Sequence, residues 1–222
     1  MHYAVRPMRV EDVPQANEID RECFPTQWPP PSYRRELLFN RLSHYFVAWD
    51  TAESPSHCPA GEPEQRAVPS KASRLGQLVE GVRRFFYGEG ATSPASEQRI
   101  VGLAGLWIIA DEAHLTTIGV REAYRRQGIG ELLLIAAIDY ALMCNAQVVS
   151  LEVRASNQAA QALYEKYGLT KVGLRRGYYT DNREDAVVMS TDRIASASFQ
   201  SQFQRLKGAH TQRWGPAECQ IC

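Results

Sequence analysis

The sequence predicts a mixed α/β (α+β) domain, and three observations predict it. Two pairs of strand-like runs are joined by short turns: Ile100 to Ala110 with His114 to Val120, and Lys171 to Tyr179 with Asp185 to Ser190 across Thr180-Asp181-Asn182-Arg183. Elsewhere the apolar positions switch to helical spacing, as at Val13, Ala16, Ile19 and Cys23. The run from Gly128 to Cys144 is apolar on nearly every side, which places that helix in the interior. At 222 residues the chain suits one domain with embellishments, large enough to bury a core.

Taken in order, Tyr3 to Met8 reads as a strand and Glu11 to Cys23 as a helix. The segment from Phe24 and Pro25 to Pro31 breaks that helix, because proline fixes φ and removes a backbone donor. Ser32 caps a short helix through Phe39, and His44 to Trp49 is the second strand. From about Asp50 to Gln98 the composition shifts to Pro, Ser, Glu and Gly, which reads as an inserted, partly disordered segment. Inside it Leu75, Leu78, Val82 and Phe85 recur at helical spacing near Arg74, Arg83 and Arg84. A helix lying against the domain is the plain reading, and a membrane-surface or partner-binding helix is the alternative. After the Gly128 helix come a strand from Gln147 to Val153 and a helix from Asn157 to Tyr167, closed by Gly168 as a left-handed cap. The division is therefore one domain over 1–192, inserted at about 50–98, and an irregular polar tail over 193–222.

The 25 basic residues balance the 25 acidic ones and are scattered, so a direct nucleic-acid footprint is not expected. The amino terminus MHYAVRPMRV is too polar for a secretory signal, and no apolar run approaches a membrane span. Five cysteines, an odd number, argue for reduced thiols and a cytoplasmic protein. Cys219-Gln220-Ile221-Cys222 is half of a zinc or redox motif, and without a second pair no metal is expected.

Chemistry concentrates between His114 and Met189. Arg125-Arg126-Gln127-Gly128-Ile129-Gly130 links a strand directly to a helix. Glycine there lets the backbone approach an anion, and the first amides of the helix have no intrahelical partner. The loop lacks the endings of a Walker or dinucleotide motif, which leaves a pyrophosphate held by amides, or an ordinary tight turn. Glu152 is the acidic residue of an apolar strand and shares a face with Val148 and Ser150. Alone it would read as an ion-pair partner, of Arg154 or of another arginine. Tyr164 would read as a packed aromatic, and Asn157 or Ser156 as a helix cap.

The ordered set is more specific than its members. LEVRASNQAAQALYEKYG followed by RRGYYTDNREDAVVM resembles the GNAT superfamily of N-acetyltransferases, and within it the ribosomal-protein-alanine (RimI) type. The AHLTTIGV strand is similar to that of archaeal and eukaryotic amino-terminal acetyltransferases. The resemblance implies a mixed, mostly antiparallel sheet of about six to seven strands flanked by helices on both faces. It implies acetyl-CoA as co-substrate, bound through Ile118, Gly119 and Val120, through Arg125, Arg126, Gln127, Gly128, Ile129 and Gly130, and through Asn157. It makes Glu152 the proton acceptor and Tyr164 the proton donor. Phe24, Pro25, Tyr178 and Tyr179 would frame the incoming protein or peptide amino terminus, foremost an N-terminal alanine of a ribosomal protein. A small-molecule amine acetyltransferase and a non-catalytic acyl-CoA sensor are the competing readings. The insertion and the tail depart from the compact family pattern.

Overall fold

The computed structural model describes residues 2–24, 32–52 and 98–221. The chain divides into a unit of Met1–Glu53 with Gln98–Cys222 and a unit of Ser54–Glu97. The second lies outside the described residues, and with it the expected helix through Leu75, Leu78, Val82 and Phe85.

Strands β1 (Tyr3–Pro7), β2 (Ser43–Asp50), β3 (Ile100–Ile109), β4 (Glu112–Val120), β5 (Val148–Arg154), β6 (Leu169–Tyr179) and β7 (Glu184–Thr191) form a seven-stranded sheet in the order β1-β2-β3-β4-β5-β7-β6. Neighbours are antiparallel except β4 and β5. That parallel pair needs a crossover, which helix α3 (Ile129–Met143) supplies. Helices α1 (Val13–Cys23) and α2 (Tyr33–Phe39) cover one face, and α3 with α4 (Gln158–Lys166) covers the other. The alternation of β2 serves both layers: Tyr45 and Val47 pack with Ile19 and Tyr33, while Phe46 and Ala48 pack with Leu133 and Ile138. The expected sheet and its flanking helices are therefore present.

Residues 193–222 correct the expectation of an irregular tail. Ala197–Trp214 form an 18-residue helix, α5, whose start is capped by Ser196 Oγ accepting from Phe199 N at 3.3 Å. Phe199, Phe203, Leu206 and His210 recur at helical spacing; Phe203 and His210 are buried, and Lys207 Nζ binds Asp139 of α3 at 2.7 Å. This narrow stripe is diluted in the sequence by serine, glutamine and Gly208, so the segment reads as polar. It also explains why α3 is apolar all round: the sheet packs on one side of it and α5 on another. Beyond α5 the chain reaches the β1 edge, where Val5 N donates to Glu218 O at 2.8 Å and Gln220 N to Val5 O at 2.7 Å. Cys219 sits in that bridge. Cys222, the other half of the CxxC motif, lies outside the described residues.

The insertion leaves the sheet at a fastened base. Trp49 is in register with Ile100, and Asp50 N donates to Arg99 O at 3.0 Å. Gln15 ties both the backbone oxygen of Gln98 and the amide of Ile100, at 3.0 and 2.9 Å. Arg6, buried with Asp12 in a two-pronged pair of 2.7 and 2.9 Å, also donates to the side chain of Gln98. Removing one partner of such a pair costs about 3–5 kcal/mol, so this corner resists opening. Among the described residues no helix is long and apolar enough to cross a membrane.

Candidate active site

The parallel ladder between β4 and β5 covers only Glu112–Leu115 and Val148–Leu151. Beyond it β4 continues to Val120 on β3, and β5 continues to Arg154 on β7. The two strands part, and β4 presents Thr116 to Val120 along the gap. A register shift opposite Gly105 and Leu106 inserts Thr116 as an extra residue at the point of parting. The next hydroxyl, Thr117 Oγ1, is buried without a hydrogen-bond partner. Such an atom costs about 1–3 kcal/mol unless something satisfies it, which suits a polar ligand in the gap. Ile118, Gly119 and Val120 lie on this stretch. A Cβ at Gly119 would stand 3.3 Å from Cys23 Sγ and from the Phe24 ring, so glycine lets the end of α1 close over β4. Phe24 thus reaches the gap; Pro25 lies outside the described residues.

The loop from Arg125 to Gly130 follows β4 into the first turn of α3. Arg125 and Arg126 are exposed, and Arg126 and Gly128 both hold left-handed backbone, at φ 63° and 80°. Alternating the backbone in this way turns successive amides toward one side, as in anion-binding nests. Glu131, in the same turn, carries a negative charge that would oppose a phosphate. Burial works against that charge, but Lys166 Nζ at 2.5 Å and the Tyr167 hydroxyl at 2.7 Å hold the carboxyl below its ordinary range and occupy it.

Glu152 is nearly buried, and its two oxygens are taken by His114 Nε2 and Arg175 Nη2, each at 3.0 Å. The partner is not Arg154, which reaches instead to Asp181 and Glu184 at 2.9 and 3.1 Å. His114 continues a polar row: its Nδ1 lies 2.8 Å from Ser150 Oγ, which donates to Glu112. The row follows from strand periodicity. His114 and Ser150 are register partners, and Glu112 and Glu152 stand two residues away on the same face. A cavity of about 240 Å³ opens on this row, lined by Glu112, His114, Ser150, Glu152 and Arg175. Reading the sequence singled out Glu152 but not His114, Ser150 or Arg175. The signal was present in the matching alternation of EAH on β4 and SLE on β5.

Tyr164 lies on the other side of β5. It packs in the α3 core with Leu151 and Val153, which alternate with Ser150 and Glu152. Burial, helped by nearby Tyr179, raises its hydroxyl pKa well above the ordinary value, so it keeps its proton. A carboxylate and a protonated phenol therefore flank β5 from opposite faces, just where β5 leaves β4. Tyr178 and Tyr179 meet edge to face at 5.2 Å at the end of β6. Arg154 stacks on Tyr179 at 3.9 Å, and Tyr178 is exposed. Asn157 caps α4, its Oδ1 accepting from Ala160 N at 3.1 Å. That satisfies the plain reading of this residue; contact with a ligand is a separate expectation.

Comparison with known proteins agrees with this geometry. Residues 71–169 match the acetyltransferase (GNAT) family. A Bacillus subtilis protein described as a putative ribosomal protein bS18-alanine N-acetyltransferase is 33% identical over 186 residues, 84% of this chain and 93% of that protein. The N-alpha-acetyltransferase RimI of Mycobacterium tuberculosis is 43% identical over 97 residues, 42% of this chain and 60% of its own. The crystal structure of the Escherichia coli ribosomal-protein-S18-alanine N-acetyltransferase superposes with a TM-score of 0.59 at 25% identity, covering 88% of this chain and 97% of that one. The parted β4–β5 pair, the loop ahead of α3 and these relatives together place the chain in the GNAT family of N-acetyltransferases, in its ribosomal-protein-alanine (RimI) branch.

Proposed function

We propose that the enzyme transfers the acetyl group of acetyl-CoA to the free amino terminus of a protein, foremost an N-terminal alanine of a ribosomal protein. The observation that carries this reading is the parting of β4 from β5 beside the 125–130 loop, with Glu152 lining the cavity there and Tyr164 packed against the opposite face of β5. The thioester arm would lie along Ile118–Val120, where the unsatisfied Thr117 hydroxyl fits a polar arm, with its phosphates on the 125–130 loop. Phe24 on one side and Tyr178 and Tyr179 on the other would frame the acceptor. A ribosomal acceptor sets the reaction in the cytoplasm, in keeping with the free thiols of Cys23, Cys144 and Cys219.

The chemistry follows from acidities. An α-amine with a pKa near 8 is about one-tenth neutral at pH 7, a cost of roughly 1.4 kcal/mol. Moving a proton from the ammonium to an ordinary glutamate would cost about 5 kcal/mol. The neutral amine therefore attacks the thioester carbon, and Glu152 takes the proton once the nitrogen becomes positive. As the C–S bond breaks, Tyr164 gives its proton to the departing thiolate. Attack is direct, with no acetyl-enzyme and no metal. A lysine amine, with a pKa near 10.4, is neutral in only about one molecule in a few thousand at pH 7, which favours the amino terminus.

The test is acetyl transfer to Ala-, Ser- and Met-started peptides, their amino-blocked versions and an internal lysine, read by mass spectrometry. Only free amino termini should react. Glu152→Gln and Tyr164→Phe should each lose about 10²-fold or more in turnover while retaining acetyl-CoA binding. Reaction confined to small amines would establish the small-molecule reading instead. Binding of acetyl-CoA without transfer to any amine would establish the sensor.

A further inference from the structure

We propose that α5 is a functional part of the acyl-donor site: His210 and Trp214 are positioning residues that fix the peptide planes of the 125–130 loop. This rests on the reading of acetyl-CoA as donor and adds residues from a segment that the motifs of the loop do not include.

Four contacts converge on two consecutive loop residues. The Tyr3 hydroxyl donates to Gln127 Oε1 at 2.6 Å. His210 Nε2 lies 3.1 Å from the Gly128 carbonyl oxygen. A carbonyl only accepts, so Nε2 carries the proton. Leu132 N donates to the same oxygen at 2.9 Å, and its orientation is thus fixed from two directions. The indole of Trp214 covers Gly128 itself: a Cβ there would stand 2.7 Å from Nε1 and 2.8 Å from Cδ1 and Cε2.

This bracing has a physical purpose in the loop. Arg126 holds left-handed backbone at φ 63°, a conformation that costs an arginine free energy and persists only where its neighbours over-determine it. Gln127 and Gly128 are those neighbours. The amides that follow are the ones a pyrophosphate would meet, and an amide cradle works only while its planes stay aimed. The helix that supplies the brace is itself anchored at its middle and beyond its carboxyl end. Lys207 holds Asp139 of α3, and the segment after Gly215 is bonded to β1 through Val5. Tyr3 lies on the same strand, so the brace and the hydroxyl that ties Gln127 share one support.

The experiment uses the full-length enzyme with acetyl-CoA and a free-amino-terminus peptide. Variants are His210→Ala, His210→Gln, Trp214→Ala and Trp214→Phe. Misplacing a binding group by about 1 Å costs up to about 10²-fold, so His210→Ala and Trp214→Ala should raise the KM for acetyl-CoA about 10-fold or more. Turnover at saturating donor and the KM for peptide should stay within about two-fold, below the effect of a displaced reacting group. His210→Gln keeps an N–H donor and should restore most of the donor KM. Trp214→Phe covers the case in which Trp214→Ala does not fold, and its donor KM should rise in the same direction. Folded variants with a wild-type donor KM overturn the proposal. So does a loss spread evenly over turnover and both KM values, because general destabilisation produces that. Calorimetry of acetyl-CoA on the unaltered enzyme separates the two layers: no binding there refutes the donor reading itself, and the brace with it.

Discussion

The two walls of the β4–β5 gap are built in opposite ways. On the proposed donor side, Gln127 and Gly128 are tied to β1 and α5, and Ile129 is buried in the main core. On the proposed acceptor side, every residue of β6 from Thr170 to Tyr178 is exposed, and the strand forms the edge of the sheet. One wall is over-determined by packing. The other is held through side chains: Arg175 on Glu152, and Arg154 on Tyr179, Asp181 and Glu184. A pyrophosphate is the same in every turnover and rewards a rigid cradle, while a peptide end arrives with its own shape and rewards a surface able to adjust.

The sharpest way to break this contrast is Gly128→Ala. Left-handed backbone costs a non-glycine residue about 1–2 kcal/mol, and overpacking against the indole adds about 1–3. The expected loss is about 2–5 kcal/mol in denaturant unfolding. In the Gly128→Ala/Trp214→Ala double variant the overpacking share should vanish, leaving a non-additive pair. A loss below about 0.5 kcal/mol, the size of an ordinary surface change, would mean the loop is not over-determined.

The acceptor wall should respond in chemistry rather than stability. Among the described residues, His114 is the partner of Glu152 that belongs to the polar row, and with His114→Ala turnover should fall by about 10-fold or more. Arg175→Ala removes a half-exposed partner, and its effect should be smaller and weaken with added salt. Steady-state rates with saturating acetyl-CoA at two ionic strengths decide between them. An Arg175 effect larger than that of His114, unchanged by salt, would reverse their order.

The sequence showed these two walls unequally, for physical reasons. Strand alternation and helical spacing are local, so the strands, α3 and the glycine-bearing loop could be read directly. What covers α3 could not, because α5 contributes a single apolar stripe at Phe199, Phe203, Leu206 and His210 among polar neighbours. Glu152 stood out as a charge in an apolar strand, yet its partners could not be named. His114 is near only through the parallel register, and Arg175, two strands away on β6, reaches Glu152 across β7. Pairings set by sheet order are non-local, so an arginine partner for Glu152 is legible in the sequence while its identity, Arg175 rather than Arg154, comes only with the fold.

The smallest expected effect concerns the end of the β6–β7 hairpin. Ser156, through its hydroxyl and its amide at 2.7 Å, holds Glu184 down from 4.5 to about 2, with Asn182 and Arg154 adding to the effect. Because the folded pKa is depressed, this stabilisation is complete above the ordinary value and is lost as the pH falls from 4.5 through about 2. Amide-exchange protection at Ser156 and along 177–186 should therefore decline between about pH 5 and pH 3, while protection at Leu132 beneath the donor loop holds. Glu184→Gln should flatten that decline, since it removes the titrating group and keeps an acceptor. Parallel losses at Ser156 and Leu132 would mean that acid loosens both walls together, and the hairpin would then have no separate electrostatic hold.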